Sequence, residues 1–430
     1  MDPTIRRLLL LVSPLVTMLP RTLPAQADTV GLGAAVSRAR AALQGLGALW
    51  RADGANIDWL FVSRSIAVRT RGANPPEAVS LPPGAPRANM SYTLGSDRLA
   101  MIVLPLGLDT DANARLLVHE AMHTLQPHQL PHPGNTEPME GGDFLDRADG
   151  RTWLFLELRA LALALASQGE VRITAAHDAL AFRAHRDELA SPAERARLDA
   201  LDLAEGIPEY TGWRLVNSAP ALLAQRLENS RDSRVSWVRS VAYSTGPAYG
   251  YLLDAINTTS WHERWRAGAR LSDLLHDAVG ADPSNASVTA RAARYDGGSI
   301  IAAERARDAE RTRTLDSLRM RYLRSPVVRI VPSVMQVTFD PNGQVPLDNQ
   351  GTVMSNFRWA SADGAELAAP AGALVSPTWA HVQVPLGDAA IAEGVVTDPI
   401  EVRGYGWQLR LPRGWVVKRT GLVTEVRPPS

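Results

Sequence analysis

The hydrophobic periodicity of this chain changes once, near Ser325-Pro326, and that change dictates most of what it can fold into. From Asp111 to about Gly280 apolar residues recur at helical spacing. Glu304 to Arg324 then reads as a charged helix with Leu315, Leu318 and Tyr322 along one packing face. Past the break come short apolar runs, Val334 to Phe339, His381 to Val384 and Trp407 to Leu411, that alternate as strands do. Between them stand turn signals such as Asp340-Pro341-Asn342-Gly343 and Gly404-Tyr405-Gly406. Ahead of the helical region, Trp59 to Val62 and Leu99 to Leu104 read as buried strands, and the Pro- and Gly-bearing stretch 71–90 reads as an irregular loop. The expectation is an α+β protein: a small N-terminal sheet (28–110), a mainly helical body (111–325) and a C-terminal antiparallel β domain (326–430).

Composition removes several functional classes. The 45 basic and 45 acidic side chains cancel, so no electrostatic argument favours nucleic acid as a partner. There is no cysteine, which excludes disulfides, thiolate metal sites and cysteine nucleophiles. Residues 1–27 have the make-up of a secretory signal. Arg6 and Arg7 precede an apolar run from Leu8 to Leu19, and Ala25-Gln26-Ala27 offers small residues for cleavage after Ala27. A secreted or periplasmic location is expected. No later run reads as a membrane span, because Glu157 and Arg159 interrupt the most apolar one, Trp153 to Leu165.

One constellation carries chemistry: His119-Glu120-Ala121-Met122-His123, inside a stretch of helical periodicity from Ala112 to Gln126. Residues four apart on a helix share a face, so both imidazoles can reach one metal ion. Zinc accepts such nitrogens, with a third protein ligand and an open position for water. Glu120, beside the first histidine, is placed to take a proton from that water. Leu116, Leu117, Val118, Met122 and Leu125 make the helix apolar around the motif, and two buried histidines need partners. The extended motif of the metzincins is excluded, since Gln126 and Gln129 stand where glycine and histidine are required. His128 and His132 flank prolines and read as surface residues, and Glu137, Glu140 and Asp143 lack a helix to hold them. Two carboxylates remain as third ligand: Glu205, in Leu203-Ala204-Glu205-Gly206-Ile207-Pro208-Glu209-Tyr210, and Glu157, in the apolar helix Arg151 to Ala166.

Together these segments resemble the gluzincins, the zinc metallopeptidases typified by thermolysin and the aminopeptidase N family. In the latter the third ligand is the glutamate of a Glu-Gly-x-Ala segment followed by an aromatic position. Glu205-Gly206 with Tyr210 matches it, with Pro208 where alanine is usual. Tyr243-Ser244-Thr245-Gly246 is similar to the segment whose tyrosine donates to the oxyanion in those enzymes; helix packing is the other reading of Tyr243. The resemblance covers roughly residues 99–280. It implies His119, His123 and Glu205 (or Glu157) as Zn2+ ligands, Glu120 as general base and Tyr243 as oxyanion donor. It also implies peptide or protein substrates, with Leu99 to Leu104 as the edge strand that aligns them. A helical hairpin containing Arg151 to Ala166 would account for the long stretch between His123 and Glu205. No Gly-x-Met-Glu-Asn segment precedes the motif, so an aminopeptidase-type hold on a free amino terminus is not expected. A non-peptidase zinc hydrolase and a catalytically silent binding protein on the same scaffold stay open at this point.

Overall fold

The computed structural model describes residues 31–54, 57–63, 65–72, 74–82, 85–129, 136, 144–230, 237–238, 240–256, 260–332, 337–340 and 344–429. The secretory segment at 1–27, His132, Glu137, Glu140, Asp143 and the side chain of His128 lie outside them. The fold is α+β. Its contacts group it into two units, residues 1–131 with 211–218, and 132–210 with 219–430. No helix among the described residues is long and apolar enough to cross a membrane.

The first unit is a five-stranded sheet with helices α1 (Leu32–Leu43), α2 (Leu46–Trp50) and α3 (Thr110–Gln129). Its strands are β1 (Trp59–Val62), β2 (Ala67–Arg71), β3 (Asn74–Ala78), β4 (Met90–Leu94) and β5 (Asp97–Val103), in the order β3-β2-β1-β5-β4. The pair β1–β5 is parallel and the others are antiparallel. Two expectations change here. Part of the 71–90 stretch is a strand, because β3 is an edge strand and an edge tolerates the missing N–H groups of Pro75 and Pro76. The run Leu99 to Leu104 is not an edge: β5 lies between β1 and β4, so both of its hydrogen-bonding sides are taken. Among the described residues the edge beside it is formed by β4.

Helix α3 begins at an aspartate cap, Asp109 Oδ1 accepting from the backbone N–H of Asp111 and Ala112 at 2.9 and 3.0 Å. It buries Ala114, Leu117, Val118, Ala121, Met122 and Leu125, and runs through Pro127 to Gln129, three residues past the end that spacing suggests. Trp59 on β1 fixes its height, the indole N–H donating to the carbonyl of Leu117 at 2.9 Å. Residues 211–218 close over its other side. Gly212 is required there, since a Cβ would come within 2.8 Å of the Arg115 carbonyl oxygen. Trp50 donates to Thr211 Oγ1 at 2.8 Å, and Arg115 stacks over Trp213 and donates to Ser218.

In the second unit α4 (Ala148–Ala166) and α5 (Gly169–Leu189), joined through Ser167 and Gln168, form the helical hairpin expected from the spacing. Helix α6 (Pro192–Leu201) starts on a Ser191–Glu194 capping box, passes into one π turn (Asp202–Gly206) and continues as α7 (Ile207–Leu215), of which residues 207–210 belong to this unit. After α8 (Pro220–Glu228) come α9 (Ala242–Ile256), α10 (Trp261–Arg266), α11 (Leu271–Val279), α12 (Val288–Ala292) and α13 (Gly297–Arg319), the last ending in a second π turn (Met320–Arg324).

The remaining strands are β6 (Val327–Ile330), β7 (Val337–Thr338), β8 (Gln344–Pro346), β9 (Thr352–Met354), β10 (Phe357–Ala360), β11 (Glu366–Ala369), β12 (Ala373–Val375), β13 (Val382–Pro385), β14 (Gly394–Val395), β15 (Ile400–Gly404), β16 (Trp407–Leu411), β17 (Val416–Thr420) and β18 (Val423–Arg427). They form a five-stranded sheet, β15-β16-β11-β10-β7, and an eight-stranded sheet, β14-β17-β18-β6-β13-β12-β9-β8. The sheets share one core that includes Val328, Ile330, Val384 and Val426 from the larger and Phe357, Trp359, Leu409 and Leu411 from the smaller. Pairing is antiparallel throughout except for β6 with β18. Leu315, Leu318 and Tyr322 pack, as their spacing predicts, against Leu347, Val353 and Leu374 on the sheet's outer face.

Candidate metal centre

Helical geometry brings His119 and His123 together on α3, their Nε2 atoms 3.1 Å apart and their rings edge to face. Two nitrogens bonded at about 2.05 Å to a tetrahedral ion stand about 3.3 Å apart, so the pair is spaced for adjacent corners of one coordination sphere. Gln126 Oε1 lies 2.9 Å from His123 Nδ1, within hydrogen-bonding distance. In the tautomer with Nδ1 protonated, that nitrogen donates to the amide oxygen and Nε2 presents its lone pair towards His119. A metal-binding histidine is ordinarily held in this way through its other nitrogen. Sequence reasoning missed this part of Gln126, although the signal was available as a residue three positions on from His123 on the same helix. One oxygen of Glu120 completes the group, the candidate ligand atoms of the three residues all lying within 4.8 Å of one another. His119 and Glu120 are 2% and 5% exposed, and with His123 they form a group that could hold a metal ion.

Glu205 and Tyr243 belong to the second unit and are brought together within it: the Tyr243 hydroxyl donates to Glu205 Oε2 at 2.8 Å. Close backbone approach makes the contact possible. A Cβ on Gly246 would stand 2.5 Å from the Cα of Gly206, and one on Gly250 would stand 2.3 Å from the Tyr210 ring. Glycine at both positions lets α9 lie directly against the π turn and the start of α7. Tyr210 is fully buried there, its hydroxyl donating to Asp254 Oδ2 at 2.8 Å with His262 Nε2 at 2.9 Å. In the same turn Asp202 accepts from Arg183 at 2.8 Å and from Thr245 at 3.0 Å.

Glu157 is fully buried in different company. Arg186 Nη1 lies 2.7 Å from its Oε2, Arg183 Nη1 lies 3.6 Å from its Oε1, and the Tyr249 hydroxyl donates to Oε1 at 2.9 Å. Burial pushes the Glu157 carboxyl above its ordinary range, against the pull of Arg186 and Arg183. The same burial, together with the neighbouring Glu157 carboxylate, drives the Tyr249 phenol well up, so that it stays a donor. Both oxygens of Glu157 are thus engaged by cations and a hydroxyl from α5 and α9.

No family model, curated protein or solved structure matches this chain.

Proposed function

We propose that the protein is a zinc-dependent metallopeptidase of the gluzincin type. His119 and His123 supply two ligands and Glu205 the third. The observation that carries the reading is the facing pair of Nε2 atoms, with Gln126 Oε1 beside His123 Nδ1 and the Glu120 carboxylate next to them. Glu157 was the rival for the third position, and its engagement by Arg183, Arg186 and Tyr249 favours Glu205.

Zinc, when bound, would supply the Lewis acidity that water attack on an amide needs at neutral pH. Glu120 accepts the proton of the attacking water and returns it to the leaving amine. Gln126 keeps His123 oriented through its Nδ1–H. Tyr243 orients Glu205; a role as oxyanion donor would require its hydroxyl to leave that carboxylate. The edge of β4 that is unpaired among the described residues, on the sheet that carries α3, is the place where an extended peptide would add a strand. The export signal read at residues 1–27 gives such an enzyme a secreted or periplasmic setting.

Metal analysis of the purified protein should find about one zinc per chain, lost in His119→Ala, His123→Ala and Glu205→Ala. Glu120→Gln should keep the metal and lose at least about a hundredfold in hydrolysis of an internally quenched peptide library. A protein that takes up no zinc overturns the reading. One that holds zinc but cleaves no peptide leaves the metal centre standing and removes the peptidase.

A further inference from the structure

On the outer face of the eight-stranded sheet, Leu315, Leu318 and Tyr322 of α13 and its π turn pack against Leu347, Val353 and Leu374. Beside that cover lies a cavity of about 300 Å³ whose polar lining includes Arg329, Gln383, Ser376, His381, Asn349 and Gln350. Strand register places the first two. Arg329 on β6 is the cross-strand partner of Gln383 on β13 and of Glu425 on β18. Gln383 is 5% exposed and fixes the guanidinium plane: Arg329 Nε donates to its Oε1 at 2.8 Å, while its Nε2 donates to the Tyr322 carbonyl at 3.3 Å. Among the described residues no acceptor lies within hydrogen-bonding reach of the two Nη groups, and Glu425 makes no ion pair with Arg329.

The β12–β13 loop, which is closed on itself, contributes Ser376, Pro377 and His381 to the lining. Ser376 N–H donates to the His381 carbonyl at 3.0 Å, His381 N–H to Ser376 Oγ at 3.1 Å, and Trp379 N–H to the Ser376 carbonyl at 2.9 Å. Trp379, with φ +58°, takes the left-handed conformation that bulky side chains avoid, so the loop is held at a cost. Burial and the nearby Arg329 lower the His381 imidazole below its ordinary value, leaving it neutral near pH 7 with one donor and one acceptor.

We propose that this cavity binds a carboxylate about the size of a single amino acid, gripped by the two Nη groups of Arg329. A planar guanidinium held edge-on with both Nη groups available matches the two oxygens of a carboxylate. The volume sits at the low end for small-molecule sites. Leu323, Val327 and Leu422 among the lining residues leave room for an apolar side chain beside the acid. The carboxylate could be a free organic acid or the C-terminus of a peptide, and the proposal does not depend on the metal centre.

Calorimetric titration of the whole protein with N-acetyl-leucine and with its amide tests the proposal directly. The acid should bind, and the amide at least about tenfold more weakly, because it forfeits the charged pair. Arg329→Gln should cost at least about tenfold, and Arg329→Lys nearly as much, since an ammonium cannot form the bidentate contact. His119→Ala is the control for carboxylate binding at the metal centre and should bind as wild type does. Glutarate and a tripeptide with a free or amidated C-terminus separate the two sources. Tight glutarate binding identifies a free acid, and a preference for the free-ended tripeptide identifies a peptide terminus. Equal binding of acid and amide, unchanged binding in Arg329→Gln, loss in His119→Ala alone, or no heat at about 10 mM ligand overturns the proposal.

Discussion

Replacing Glu157 by alanine separates two roles for a buried carboxylate. Among the described residues Glu157 is the only close counter-ion of Arg186, which is 1% exposed and whose next carboxylate, Asp187, stands 4.0 Å away. Arg183 is better protected, because Asp202 remains at 2.8 Å. Removing Glu157 therefore strands essentially one buried cation, a loss of about 3–5 kcal/mol. At roughly 2–4 °C per kcal/mol for a unit of this size, the melting temperature should fall by about 6–20 °C. The double variant Glu157→Leu with Arg186→Met replaces the pair with apolar groups and should recover at least about half of the loss. Calorimetric melting gives the stability, and metal analysis well below the melting point gives the zinc content. Both variants should hold as much zinc as wild type. A Glu157→Ala protein that melts as wild type does but has lost its metal would refute the ion-pair role and return Glu157 to the ligand set.

Further outcomes follow from the same geometry. Tyr243→Phe removes the hydroxyl 2.8 Å from Glu205 Oε2; a hydrogen bond to a charged group contributes about 1.5–3 kcal/mol, so zinc affinity measured against a chelator should drop about 10–100-fold. If Tyr243 instead serves only the oxyanion, affinity will hold and kcat alone will fall. Gly246→Ala drives a methyl group onto the Gly206 backbone and should destabilise by about 1–3 kcal/mol, whereas Gly298→Ala, with nothing within 4 Å, should be neutral or slightly stabilising in the same melting assay. Partial burial works against the Asp363 carboxylate, but hydrogen bonds from Ser361 and Trp415 hold its pKa below the ordinary value of 3.8. Its folded pKa is depressed, so its contribution is present above that value and is lost as pH falls through the folded one. The gap in melting temperature between wild type and Asp363→Asn should accordingly be full above pH 5 and close as the pH drops below about 4.

The parts legible in the sequence are those set by local spacing. Four residues of helix put His119 and His123 on one face, and the apolar residues around them foretold a buried helix. Leu315, Leu318 and Tyr322 announced a packing face for the same reason. Strand neighbours are a long-range property, so Leu99 to Leu104 read as an edge although β4 covers it. Prolines at 75 and 76 hid β3, because proline punctuates most chains and only an open edge excuses it. The surroundings of Glu157 were illegible for a similar reason. Arg183 and Arg186 lie in another helix, and nothing in their own stretch says which carboxylate they will meet.

The π turn at Asp202–Gly206 acts as a surplus residue in an otherwise continuous rod. On an ordinary helix, residues three apart lie only about 60° apart around the axis. Widening the turn splays them further, so that Asp202 faces Arg183 and Thr245 while Glu205 faces Tyr243. Length is therefore coded here as strictly as side-chain identity. Deleting half-buried Leu203 leaves both acids in the sequence, yet it would straighten the rod and turn one half against the other by about 100°. With Gly206 pinned to Gly246, the half that turns is the one ending at Asp202, and its buried partners would be left behind. A one-residue deletion at this place should thus do more damage than most substitutions within the same turn.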